Sequence, residues 1–363
     1  MSAARFAIVG GGFRSNFFLR IARALPELFT CAGMVVRNAD QARQFHEKWG
    51  VAVYPDLDAL VAAGRPDFVI LSVAKAASPG LIAEITQAGL AVLAETPPAP
   101  TVDGLLDLWQ RVENGARIQV AEQYPFQPIN AARIALARSG LLGTVSEVQL
   151  AVTHDYHAMA LLRQMLGVRF EAARITARDF TTRVMRGPGR AGPPSEPAID
   201  TEHQVMAWLE FPDKLGVYET TSGIVRSWIR AGRVVIRGER GELCNDELRY
   251  MRDFRTSVRL DLRRIDTGQG SNPESYYHRG IMAGDTWLYG SPFPGVPLGD
   301  DEIAGAVMMR KMSDYVAGGG DGGLGPYPFA DGAQDHYLSL CIDEAVAGGE
   351  TITTTVQPWA DHH

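Results

Sequence analysis

Short apolar runs and helical apolar spacings take turns along the first third of the chain. Arg5–Val9 (RFAIV) is a strand-like run that leads straight into Gly10-Gly11-Gly12. Over Asn16–Phe29 the residues Phe17, Phe18, Ile21, Leu25 and Leu28 recur at helical spacing, and Cys31–Val36 is a second apolar run. The pattern continues with a helix over Ala39–Trp49, a helix starting in Pro55–Leu60 and a nearly all-apolar strand over Asp67–Val73. A helix over Pro79–Gly89, a strand over Ala91–Ala94, a helix over Val102–Asn114 and a strand over Ile118–Ala121 complete it. Strands without polar alternation are buried on both faces, so this alternation predicts a parallel, doubly wound sheet.

After Gln127-Pro128 the texture changes. Ile129–Ser139, His157–Gly167 and Gly332–Ala347 read as helices, and Thr144–Thr153 alternates like a half-exposed strand. Gln204–Phe211, Gly216–Ser222, Ser227–Arg237 and Tyr250–Leu262 read as further strands. Thr182–Pro197, Asp266–Pro297 and Ala317–Pro328 read as loops because Gly and Pro interrupt them. The expected class is α/β, with two domains. The first, over 1–127, is a dinucleotide-binding (Rossmann) unit; the second, over 128–363, is an α+β domain with an open, largely antiparallel sheet.

The glycines carry the first chemistry. Strand, glycine turn, helix and strand within about thirty residues is the setting of a phosphate-binding loop. Glycine lets the backbone approach a pyrophosphate, and the helix N-terminus offers free N–H groups and a positive dipole end. Gly10, Gly12, Phe13 and Arg14 are therefore candidate cofactor contacts, although Ser15 stands where GxGxxG has its third glycine. The second strand ends Val36-Arg37 rather than in a carboxylate. A neutral strand end followed by Arg37 suits a 2′-phosphate, hence NADP before NAD; the alternative is a solvated arginine.

Composition narrows the rest. Hydrophobic residues make up 46% and charged residues 21% of 363 residues, a balance that suits a packed globular protein. A net charge of −7 argues against nucleic acid and anionic membrane surfaces as partners. Three widely spaced cysteines, without a CxxC pair, suit a reduced, cytoplasmic setting and no metal site. The opening MSAARFAIVGGG lacks the pattern of a signal peptide, and no run of about 18 apolar residues predicts a membrane span. Only four lysines, Lys48, Lys75, Lys214 and Lys311, stand against 31 arginines, so lysine-dependent chemistry has few candidates.

Four segments, in order, resemble one family. Ile8–Gly12 resembles the IGxGxxG opening of the glucose–fructose oxidoreductase / inositol dehydrogenase (Gfo/Idh/MocA) family, and Ala91–Pro97 (AVLAETP) its strand ending in Glu-Lys-Pro. His157–Gly167 (HAMALLRQMLG) resembles its His-x-x-Asp-Leu-Leu-x-x-Leu-x-Gly helix, and Ala330-Asp331-Gly332 the start of its last helix. The resemblance implies an NAD(P)-dependent oxidoreductase acting on a sugar, polyol or related small carbonyl compound, self-associating through the C-terminal sheet. It further implies that Glu95 lies at the nicotinamide ribose, and that Val73, Thr96 and Gln123 border the cofactor. Lys75, the one lysine in the first domain's loops at the carboxyl edge of the sheet, is a candidate contact to a cofactor phosphate, with an exposed loop lysine as the alternative.

The departures bear on mechanism. Thr96 stands at the family's catalytic lysine, Thr153 at its aspartate four residues before the helix histidine, and Ala160 at the later aspartate. Only His157 of that acid–base set is retained. Hydride exchange at a carbonyl carbon needs a group for the alcohol proton, and histidine titrates near neutrality. His157 is therefore the candidate acid/base, with His154 and Asp155 orienting it or binding substrate; helix capping and packing is the alternative. Tyr124, in the stretch joining the domains, is a candidate proton relay or a packed hinge residue. The missing lysine and aspartates keep two other readings open: a dinucleotide-binding sensor without net turnover, and an enzyme that recycles its bound cofactor during elimination or glycoside cleavage.

Overall fold

The computed structural model describes residues 3–189, 192–268, 270, 273–318 and 325–360. The chain forms two compact units: Met1–Pro128 with Asp266–Arg279 and Ser291–Ala333, and Ile129–Ile265 with Gly280–Gly290 and Gln334–His363.

The first unit is built on β1 (Ala4–Val9), α1 (Phe13–Ala24), β2 (Phe29–Val35), α2 (Ala39–Trp49), β3 (Val53–Tyr54), α3 (Leu57–Gly64) and β4 (Phe68–Leu71). It continues with α4 (Ser78–Gln87), β5 (Ala91–Ala94), α5 (Val102–Glu113) and β6 (Ile118–Val120). The strands lie in the order β3-β2-β1-β4-β5-β6, and every pairing is parallel. This order reverses between β1 and β4, and ligands of open α/β sheets bind at the carboxyl ends of strands beside such a reversal. The continuous apolar runs are explained by position, since β4 and β5 are buried along their whole lengths. Helix starts are marked by side-chain caps: Asn38 accepts from the Gln41 amide at 2.9 Å and Asp56 from the Ala59 amide at 2.8 Å.

Two features of this unit differ from the sequence expectation. The first helix spans Phe13–Ala24, not Asn16–Phe29. Pro26 has no N–H and disfavours helical backbone at Leu25, so the helix stops there and Phe29 already begins β2. A 17-residue helix, α8 (Asp300–Val316), was not expected at all; it buries Ile303, Ala304, Met308, Met309 and Met312.

The second unit contains α6 (Pro128–Arg138), β7 (Val145–Ala151), α7 (Asp155–Leu166), β8 (Arg174–Met185), β9 (Ile199–Glu210), β10 (Leu215–Thr221) and β11 (Arg233–Gly238). Next come β12 (Gly241–Cys244), β13 (Glu247–Met251), β14 (Ser257–Asp266), β15 (His278–Ala283) and β16 (Thr286–Gly290), and finally α9 (Phe329–Gly348) and β17 (Ile352–Thr353). The strands form one sheet in the order β16-β15-β14-β13-β12-β11-β7-β10-β9-β8-β17. β7 and β10 pair in parallel, while the other described pairings of this sheet are antiparallel. An open, largely antiparallel sheet was expected.

Several loops of the sequence reading are strands. β8 and β9 pair without interruption from Arg174↔Glu210 to Met185↔Ile199, so Thr182–Met185 is sheet, not loop. β8 is hard to read because its alternation is short: Ile175 and Ala177 are buried between exposed neighbours, but Asp179, Phe180 and Thr181 are exposed in succession. Tyr250–Leu262 is divided by a turn in which Asp253 accepts from the Arg255 and Thr256 amides at 2.8 and 2.9 Å. Of Ser227–Arg237 only the part from Arg233 is strand, and Asp266–Pro297 contains β15 and β16. Half of the expected glycine loop Ala317–Pro328, residues 319–324, lies outside the described residues.

Candidate functional site

The phosphate loop of the first unit follows β1. Gly10 has φ +125°, and a Cβ on it would stand 2.0 Å from the Ser72 carbonyl oxygen and 3.3 Å from Val73 Cγ1. No other residue type fits there. Gly12 is the N-cap of α1, with no side-chain cap and nothing within 4 Å of where a Cβ would stand. A crowded first glycine and an open one at the helix N-terminus form the cradle that a dinucleotide's pyrophosphate requires. Ser15 replaces the third glycine without disturbing the turn: fully buried, it donates its hydroxyl to the Gly10 carbonyl at 3.0 Å. Phe13, at the first helical position, is 66% exposed.

Three of the expected cofactor residues meet in one network. Arg14 donates to Glu95 at 2.8 Å and also to Gln123, and its guanidinium lies 4.1 Å above the Phe17 ring. Arg14 thus fixes the Glu95 carboxylate at the end of β5. Thr96 follows, joined to Pro97 by a cis peptide bond. Glu122 is buried and accepts from the Tyr124 amide at 3.0 Å, which sets the single helical turn carrying Tyr124. Lys75 and Arg37 are exposed, and Val73 is half-buried. Arg37 directly follows buried Val36 at the end of β2.

The second unit holds the titratable cluster, at the junction from β7 into α7. His154 is the N-cap of that helix and Asp155 its first residue. Asp155 has φ +49°, a strained conformation for an aspartate, and its amide donates to the Tyr218 hydroxyl at 2.8 Å. His154 Nδ1 lies 3.2 Å from the Asp155 carboxylate. The His157 ring stands 5.3 Å from that of His154 and 4.5 Å from that of Tyr156. The hydrogen bond from His154 holds the Asp155 carboxyl below the usual carboxylate range. Burial opposes this, while the charges of His154, His157 and His336 reinforce it. Burial pushes the Tyr218 phenol well above its ordinary range.

His154, Asp155 and His157 therefore come together as the sequence implied. Two members of the cluster escaped the sequence reading. Tyr218 lies in a strand and His336 in a helix that were both expected, but only the pairing of those elements brings either residue to the N-terminus of α7. Thr153, where the resemblance places an aspartate, is fully buried, and its hydroxyl has no hydrogen-bond partner. Among the described residues, no three His, Cys, Asp or Glu side chains form a metal-binding group.

Comparisons with known proteins bear on the fold. No curated protein matches the sequence. Among solved structures, an oxidoreductase from Agrobacterium radiobacter, in complex with NAD+, L-tartaric acid and magnesium, is 15% identical, with a TM-score of 0.70 over 97% of this chain and 98% of its own. A levoglucosan dehydrogenase, in complex with NADH and L-sorbose, is 17% identical, with a TM-score of 0.70 over 98% of this chain and 100% of its own. An oxidoreductase domain protein from Kribbella flavida is also 17% identical, with a TM-score of 0.70 over 98% and 100%. At these identities the likeness is one of fold. Residues 4–122 match the GFO_IDH_MocA sequence model, described as "Oxidoreductase family, NAD-binding Rossmann fold".

Proposed function

We propose that the protein oxidises or reduces a small sugar, polyol or related carbonyl compound with NADP as the preferred cofactor, and that His157 is its proton-transfer group. The observation that carries this reading is the cluster of His154, Asp155 and His157 in a chain whose lysine position holds Thr96. The bound nicotinamide supplies or accepts the hydride. The substrate alcohol must lose a proton as its carbon loses that hydride, and an imidazole beside a carboxylate accepts one near neutral pH. His154 holds the Asp155 carboxylate, which the charge of His157 also reaches. Threonine at 96 has neither the charge nor the proton affinity for the task.

Gly10, Gly12 and the start of α1 would hold the pyrophosphate, with Phe13 beside it; Glu95, oriented by Arg14 and Gln123, would hold the nicotinamide ribose. Thr96, Val73 and Lys75 would border the cofactor. Arg37, exposed after a neutral strand end, favours a 2′-phosphate. Tyr124 is the proposed proton relay.

L-Tartaric acid and L-sorbose, the ligands of two structural neighbours, are small polyhydroxy compounds and head the substrate panel. Turnover at 340 nm with NADPH favoured over NADH, abolished in His157→Ala while dinucleotide binding is kept, is the expected result. Full activity of that variant would remove His157 from the reaction. Tight NADPH binding with no absorbance change across the panel would instead favour a dinucleotide sensor. Substrate turnover without net NADPH change would favour an enzyme that recycles its cofactor.

The setting and assembly follow from other features. The three cysteines are free thiols, which suits a reducing compartment, the cytoplasm. No helix of the described residues is long and apolar enough to cross a membrane. The outward face of β8 and β9, with Phe180, Met206 and Trp208 exposed, is the proposed surface of self-association.

A further inference from the structure

The residues around His336 are fastened on both sides. Asp335 accepts from Arg163 of α7 at 2.6 Å, with side chains only 3% and 2% exposed. Gln334 accepts from the Trp359 indole at 2.9 Å, and the Tyr337 hydroxyl accepts from the Thr355 amide at 3.0 Å. Between these anchors the His336 imidazole is 7% exposed and meets Tyr156 edge to face, with ring centroids 5.5 Å apart. Tyr156 in turn meets His157 at 4.5 Å.

We propose that His336 is a positioning residue for His157: it presses Tyr156 against the His157 ring and adds a second imidazole to the electrostatics of the Asp155 site. This rests on the reading of His157 as the proton-transfer group. A histidine is a costly choice for mere packing at so buried a place, where Phe or Leu would fill the volume without a polar atom. Its charge is also felt at the Asp155 carboxylate. The charges of His154, His157 and His336 reach the Asp155 carboxylate, Asp155 and Asp343 both act on the Tyr218 phenol, and Arg163 and Asp335 form a buried pair. That ion pair neutralises itself, which leaves the three imidazoles acting on Asp155 as the interacting groups. Such groups titrate together rather than separately. His336 and His157 act on the same Asp155 carboxylate, so a charge on one is linked to a charge on the other through it.

The test is an NMR titration of the imidazole signals in the full-length protein, with His157 and His336 assigned from His157→Gln and His336→Asn. In the unaltered protein, both signals should titrate in broadened, mutually dependent curves. In His336→Phe, which keeps a ring against Tyr156 but carries no charge, the His157 midpoint should rise by roughly half a pH unit or more. His336→Asn should do the same and also displace the Tyr156 ring signals. Independent single-proton curves in the unaltered protein would overturn the proposal even if both variants misfold. An unchanged His157 midpoint in a folded variant would do so as well. Neither result depends on turnover: activity retained in His157→Ala removes the proton-transfer reading, whereas loss of activity there with no His336 coupling removes only this one.

Discussion

At Gly10 the chain passes so close to the Ser72 carbonyl that backbone, not ligand, dictates the residue. Gly10→Ala must move one strand end or the other, and alanine also resists φ +125°. The expected cost is about 2 kcal/mol or more, with dinucleotide affinity falling in parallel. Gly12→Ala has open space and an ordinary φ of −84°, so its fold should be kept; any loss there is steric interference with the cofactor. A thermal melt beside an NADPH fluorescence titration separates the two effects, and equal melts for both variants would contradict the assignment. Thr153 makes the converse case. Its orphaned hydroxyl predicts that Thr153→Val is neutral or stabilising, while Thr153→Asp, the residue the resemblance places there, buries an unpaired carboxylate and costs several kcal/mol. Urea unfolding of the pair decides it; a stable Asp variant would show that the site accepts a carboxylate. The turn at Gly10 and Gly12 and the helix that carries His157 were legible because each belongs to a local pattern. Ser15 looked like a defect in the motif until its bond to Gly10 made it a brace. Tyr218 and His336 were illegible because no local pattern marks a residue whose partner is 63 or 180 positions away.

Elements were readable in proportion to how far their own sequence decides them. β4 and β5 announced themselves as apolar runs because helices cover both faces of a parallel sheet. α2 carries its cap, its periodicity and a terminal glycine at φ +69°, and its bounds are those expected. α8 buries Gly305, Ala306 and four other small or methionine positions against the rest of its unit, so it lacks the strong leucine stripe that marks an amphipathic helix. Gly305 is needed for that approach, since a Cβ there would come within 2.7 Å of Phe17 and Ile21 on α1. The tie between α7 and α9 is likewise made by side chains. Arg163 bonds Asp335 and the Arg169 carbonyl, with Phe170 beneath its guanidinium. Removing one partner strands a buried charge, so Arg163→Met should cost roughly 3–5 kcal/mol in urea unfolding. The double variant with Asp335→Leu should recover much of that loss. If it is instead additive, the two residues do not act as a pair.

For the molecule as a whole, the open question of assembly turns on the outward face of the eleven-stranded sheet. In the β8–β9 ladder Thr176 lies opposite Trp208, Arg178 opposite Met206 and Phe180 opposite Gln204. Trp208, Met206 and Phe180 are 56%, 43% and 51% exposed and share this face, whereas Ile175, Ala177, Ala207 and Leu209 fill the core side. Elsewhere the same face carries ion pairs, such as Arg237 with Glu147 and Glu242. An apolar patch rimmed by charge is the composition of a stable interface, which typically buries about 800 Å² on each partner. Light scattering should therefore find an oligomer, and Trp208→Glu should dissociate it. NADPH affinity should survive, because the phosphate loop belongs to the other compact unit. Salt gives the direction of the driving force. Each copy carries a net charge of −7, so bringing copies together through an apolar patch works against like-charge repulsion that salt screens. Association should tighten, not weaken, between low and moderate ionic strength. Weakening with salt would move the interface from the Trp208 patch to the arginine–glutamate rim. A monomer at every salt concentration would mean that the open sheet of this chain does not self-associate.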